Sequence, residues 1–96
     1  MLTYKAMYLE IEEGGYHCRV LDFPGAISCA KTLKQARRML QDALVQVALA
    51  RIELGQPLPK PNPDIEVPEA DLVEPIHLLL TATSNVRIVA DSGVTA

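Results

Sequence analysis

Residues 12–32 read EEGGYHCRVLDFPGAISCAKT, and the spacing of the breaks in this stretch decides the fold. Glu12-Glu13-Gly14-Gly15 is a hairpin turn, because paired glycines accept the positive φ angles of a tight reversal. Asp22-Phe23-Pro24-Gly25 is the next break, where proline presets φ at the second turn position and glycine takes the left-handed third position of a type II turn. Gly14, Gly15, Pro24 and Gly25 are therefore structural turn residues. Between the two breaks Tyr16–Leu21 is a strand, with Tyr16, Cys18 and Val20 on one face and His17, Arg19 and Leu21 on the other. A short third strand, Ala26–Ala30, follows. Upstream, Thr3–Ile11 alternates Tyr4, Ala6 and Tyr8 with Met7, Leu9 and Ile11, so both faces of this strand carry apolar groups. It pairs antiparallel with the second strand.

Downstream the pattern changes from strand to helix. Thr32 and Gln35 have capping-box spacing, and neither proline nor glycine recurs until Gly55, placed as a left-handed stop. Such a helix is roughly 33 Å long. Leu33, Ala36, Leu40, Ala43, Leu44, Val47 and Leu54 fall on its core side. Val45, Leu49 and Ile52 make a second stripe nearly opposite. A helix on one small sheet buries one side, so that stripe needs cover from the C-terminal segment, a second copy or another protein. We assign it to self-association. Pro57, Pro59, Pro61 and Pro63 make an extended connector, and Asp64, Glu66, Glu69, Asp71 and Glu74 follow with no base among them. Ile76–Thr81 reads as a fourth strand and Val86–Val89 as a fifth, reached through a turn at Ser84-Asn85, with a frayed tail from Asp91. The expected fold class is α+β, a β-β-β-α-β antiparallel sheet with one long helix packed on it. Residues 1–60 form the β-β-β-α core and the start of the connector. Residues 61–96 add the acidic linker and the C-terminal strands of the same domain.

The 96 residues suffice for one domain, and an apolar share of 49% supports a core without disulfides or metal. A net charge of −3 argues against nucleic acid as the main partner, since phosphate binding needs clustered Lys and Arg. Lys31, Lys34, Arg37 and Arg38 do gather, and they read as the solvated start of the helix. Cys18 and Cys29 lack a CxxC neighbour and read as packing residues, Cys29 in a central strand. His17 and His77 both sit inside strands, so no metal site is expected. With no signal segment and no membrane-spanning run, the expected location is the cytoplasm. An enzyme is not expected. Glu10, Glu12, Asp22 and Asp42 are the acids early enough to meet on the sheet or helix, and nothing in their spacing forces them together. Cys18 and His17 are adjacent in a strand and point to opposite faces. No catalytic, cofactor-binding or metal residue is assigned, and no cofactor.

The run Glu13-Gly14-Gly15-Tyr16, then Asp22-Phe23-Pro24-Gly25-Ala26-Ile27-Ser28, then Thr32 with Ala36, and finally Gly55-Gln56-Pro57-Leu58-Pro59, resembles the HicB antitoxin domain. The likeness covers about residues 4 to 60. It implies a HicB-like, partial ribonuclease H-like fold and the neutralisation of a HicA-like toxin, a small basic ribonuclease. Acidic Asp64, Glu66, Glu69, Asp71 and Glu74 suit contact with such a toxin, because complementary charge steers association. Separately from the resemblance, a homodimer or higher homo-oligomer is expected, through the sheet edge or the second helix stripe. Two departures stand out. Ala30-Lys31-Thr32 replaces a G-D-T triplet, with Lys34-Gln35 where acids are usual. After the connector there are too few residues for the DNA-binding module many members append, so direct operator binding is not expected. Two alternatives remain open: an orphan HicB-like interaction module, and a metal-dependent nuclease remnant of ribonuclease H type.

Overall fold

The computed structural model describes residues 2–82 and 86–91. Five strands and one helix follow in the order β1 (Leu2–Glu10), β2 (Tyr16–Val20), β3 (Ile27–Ala30), α1 (Leu33–Glu53), β4 (Leu72–Ala82) and β5 (Val86–Asp91). The strands form one antiparallel sheet in the order β3-β2-β1-β4-β5, with the helix packed across one face, which is the expected α+β arrangement. The fifth strand is present. The turn expected at Ser84-Asn85 lies outside the described residues, as does the expected tail beyond Asp91, while Asp91 itself closes β5 rather than opening a frayed end.

Both turns in the deciding stretch have the expected conformation. Gly14 and Gly15 each take φ +100°. The Gly14 N–H donates to Ile11 O at 2.9 Å, and the Ile11 N–H donates to Gly15 O at 2.9 Å, closing the hairpin. At the second break Gly25 has φ +91° and the Ala26 N–H donates to Phe23 O at 3.2 Å. A second left-handed residue precedes it, Asp22 at φ +68°, which aspartate tolerates better than most side chains. The two glycines of the hairpin are not equivalent. A Cβ on Gly14 would meet open space, whereas on Gly15 it would lie 2.9 Å from the Ala30 carbonyl oxygen. Gly15→Ala should therefore cost about 2 kcal/mol, roughly twice the cost of Gly14→Ala, because a backbone clash adds to the φ penalty. Urea unfolding of the two variants checks this, and equal losses would remove the Ala30 contact from the account.

The helix has a cap at each end, and of the expected capping box the structure shows the Thr32 half. Thr32 is extended, and its hydroxyl accepts the Gln35 N–H at 3.1 Å. At the far end the Gln56 N–H donates to Arg51 O at 2.8 Å and the Gly55 N–H to Ile52 O at 3.0 Å, with Gly55 at φ +70°. This is a Schellman stop. Ala36, Leu40, Leu44 and Ala48 are fully buried along one line at intervals of four. They meet Tyr4, Ala6, Tyr8, Cys18, Val20, Ile76 and Leu78 on the inner face of the sheet, with Phe23 and Ala26 from the second turn. Tyr4 and Phe23 pack edge to face at 5.2 Å, and the Arg51 guanidinium sits 5.6 Å from the Phe23 ring centre.

Four expectations need correction. Leu54 is 72% exposed, because as the C-cap it has left the helical line that Ala48 continues. Cys29 lies in an edge strand rather than a central one, and its side chain is exposed on the outer face, so only Cys18 is a packing residue. β4 begins at Leu72, not Ile76, so Val73, Glu74 and Pro75 belong to the sheet. Pro75 is admitted there because it stands opposite Lys5, whose backbone bonds β2, so the hydrogen that Pro75 lacks is not called on by the β1–β4 ladder. Arg37 is not merely solvated but pairs with Glu74.

Candidate interaction surface

After Gly55 the chain carries no regular element until β4, yet it is held along its length, first by Arg51 Nη1 donating to Pro57 O at 3.2 Å and last by the Asp71 N–H donating to Tyr8 O at 2.9 Å. The Tyr4 hydroxyl donates to Pro59 O at 2.5 Å. The Asn62 N–H donates to the Asp22 carboxylate at 3.0 Å. Lys5 Nζ donates to Ile65 O at 3.2 Å, and the Glu10 N–H donates to the Asp71 carboxylate at 2.6 Å. Tyr4 belongs to the inner face and Lys5, its neighbour, to the outer one. The connector thus turns round the end of the sheet and then follows β1 on the outer face, from Lys5 to Glu10. The two-sided apolar pattern of β1 anticipates this cover: Met7, on the outer face, is 3% exposed.

The five acids of this stretch have three different fates. Asp64, Glu66 and Glu69 remain exposed on the connector. The Asp64 N–H donates to Asn62 Oδ1 at 3.0 Å, which fixes the local turn. Glu66 borders a shallow depression with Lys5, Val67, Pro68 and Val73, and Glu69 borders another with Met7, Leu9, Arg19 and Ile27. Asp71 is engaged with the Glu10 backbone. Glu74 lies on the inner face and receives two hydrogen bonds from Arg37, from Nε at 2.7 Å and Nη2 at 3.0 Å. That pairing holds the Arg37 guanidinium above its ordinary value, against the opposing effect of burial. Asp64, Glu66 and Glu69 are therefore free to meet a partner, and Asp71 and Glu74 serve the fold.

Two apolar side chains complete the surface. Ile27 is 63% exposed and Val73 40% exposed, both on the outer face. Sequence reasoning passed over them, although Ile27 stands opposite Arg19 and Val73 opposite Met7 in the sheet register. The signal was the odd-numbered set of strand positions, which combines polar and apolar residues. No protein-family model matches this chain, and no curated protein matches it.

The remaining assigned residues are placed as follows. Val45 and Ile52 are half-buried and Leu49 is 38% exposed, so the second helix stripe is partly covered within the chain. Among the described residues no group of three or more His, Cys, Asp or Glu side chains is arranged to hold a metal ion. Glu10 lies at the hairpin end of β1 and Asp22 at the opposite end, beside Lys5, roughly 17 Å away along the strand. The Cys18 thiol is buried between Ser28 O at 3.4 Å and Ala36 O at 3.7 Å, and burial pushes it up to about 11. No helix of the described residues is long and apolar enough to cross a membrane.

Proposed function

We propose that the chain is a non-catalytic cytoplasmic binding protein of HicB antitoxin type, which neutralises a small basic ribonuclease toxin by covering it. The observation that carries this reading is the exposed set Asp64, Glu66 and Glu69 on the latched connector, with Glu66 beside Val73 and Glu69 beside Ile27 on the outer sheet face. Three exposed acids beside exposed apolar area suit a basic protein partner, the charges directing encounter and the apolar groups supplying contact. The latches at Tyr4, Asp22, Lys5 and Asp71 hold the acids in place before the partner arrives, which lowers the ordering cost of binding.

Isolation of the chain from its native host should bring down a small basic protein in stoichiometric amount, identified by mass. Reversing the three charges, Asp64→Lys with Glu66→Lys and Glu69→Lys, should weaken that complex by about 100-fold or more, at roughly 1 kcal/mol per charge. Melting of the free variant should barely change. Unaltered affinity in the triple variant would remove the outer face from the reading. Recovery of the chain alone, as a homo-oligomer, would favour an orphan interaction module.

A further inference from the structure

We propose that β3 pairs with the β3 of a second copy of this chain, antiparallel about a two-fold axis at Cys29, so that two sheets join edge to edge. The inference follows from which backbone groups point outward. The bonds from Ile11 N–H to Gly15 O and from Leu21 N–H to Lys5 O show that odd-numbered residues of β1 and β2 bond each other. Tyr16 and Cys18 then turn their backbone groups to β3, where they meet Ala30 and Ser28. Ile27 and Cys29 turn theirs away from β2, towards the edge of the sheet. The Ile27 N–H is already taken by Gly25 O at 3.0 Å. What the edge offers is the Ile27 carbonyl and both backbone groups of Cys29.

That set is self-complementary in one register. With the axis at Cys29, its N–H meets the Cys29 carbonyl of the other copy, in both directions. The Ile27 carbonyl then stands opposite the N–H of Lys31 of the other copy, again twice. An axis at Ser28 would call on the Ile27 N–H, and half of its bonds would be lost. Ile27, 63% exposed in the single chain, would lie against the aliphatic stem of Lys31 from the second copy. The two Lys31 charges would sit four residues apart along the strands, roughly 13 Å, beyond the screening length of about 8 Å at physiological salt. Edge pairing also satisfies groups that otherwise invite uncontrolled association.

The register has a built-in reporter. Directly opposed, hydrogen-bonded residues have Cα atoms about 5.5 Å apart, a separation that a disulfide spans. In reducing buffer, sedimentation of the full chain should give twice its mass. Diamide, which accepts the two electrons and two protons released by a pair of thiols, should produce a covalent dimer. The crosslink should survive Cys18→Ser and vanish in Cys29→Ser, while Cys29→Ser still sediments as a dimer. Cys29→Pro removes the central N–H without touching the bonds to β2, and should sediment at the mass of one chain. A single-chain mass for the unaltered protein overturns the proposal, as does a dimer that persists in folded Cys29→Pro. If Cys29→Pro does not fold, the crosslink decides: failure of diamide to link chains through Cys29 overturns the pairing. None of these outcomes depends on the toxin reading.

Discussion

Leu44→Ala should lower the unfolding free energy by about 3 kcal/mol and the melting temperature by roughly 15 °C, a loss that only Leu40→Ala should match among single truncations in the helix. Leu44 is fully buried in the middle of the line Ala36, Leu40, Leu44, Ala48, with alanine at both ends. The small residues bring the helix backbone close to the sheet, so the two leucines fill the space between. Removing one leaves a cavity that alanine neighbours cannot fill, and the cost contains both lost transfer energy and lost contacts. A domain of this length is stable by about 5–15 kcal/mol, so the loss is a large fraction of the whole. Leu54→Ala, at a site 72% exposed, should change stability by less than about 0.5 kcal/mol. Urea titration of the two variants distinguishes this packing from the sequence-based one, in which Leu54 shares the core face. Equal losses at the two sites would contradict the observed helix orientation.

Alkaline pH should destabilise the fold sharply, beginning near pH 9. Burial raises the Cys18 thiol from 9.0 to about 11, chiefly because the thiolate would lose its hydration between β2 and the helix. The sign follows from proton linkage. Below 9 the thiol is protonated in folded and unfolded chains alike, and its contribution is fully present. Between 9 and about 11 the unfolded chain releases its proton while the folded chain retains it, so stability falls as pH rises. The loss from this one group is on the order of 2–3 kcal/mol. Tyr8 acts in the same direction from 10.0 upward, since burial and the adjacent Glu74 charge push its hydroxyl far above the ordinary value. That hydroxyl is buried and makes no hydrogen bond of full geometry among the described residues, and the nearby Arg37 charge offsets only the smallest part of the cost of its ionisation. Unfolding free energies measured below pH 9 and near pH 11 should differ by at least the Cys18 amount, and Cys18→Ala should flatten the first part of the slope. A pH-independent stability over that window would falsify the buried placement of both groups.

The sheet, the helix and both turns were legible because their signals are local. A glycine that must take positive φ and a threonine that caps announce themselves without knowledge of the rest of the chain. What escaped was set by distant partners. Glu74 looks like part of an acidic linker until Arg37 is seen to lie beside it, and Pro75 argues against a strand until Lys5, opposite it, is seen to bond β2 instead. Cys29 resembles Cys18 in its strand context, and only the strand order separates a buried thiol from one at an edge. The candidate surface was half legible for the same reason. Composition marked the acids together, and tertiary bonds divided them, leaving Asp64, Glu66 and Glu69 outward and drawing Asp71 and Glu74 into the fold. Val45, Leu49 and Ile52 were recognised as an unusual stripe, but periodicity cannot tell how much of it the same chain covers.

β1 is the first strand in the chain and the centre of the sheet, and its second neighbour, β4, comes nearly last, with Leu2 opposite Leu78. On the ribosome this order matters. β2 reaches β1 almost at once through the short hairpin, but at about 5–20 residues per second the other side of β1 waits several seconds for β4. Throughout that wait a nascent chain displays Tyr4, Ala6 and Tyr8 with one row of backbone groups unmet. The protein is therefore exposed during its own synthesis at the place where it is later most protected, and a slow stretch of translation after the helix would lengthen the hazard.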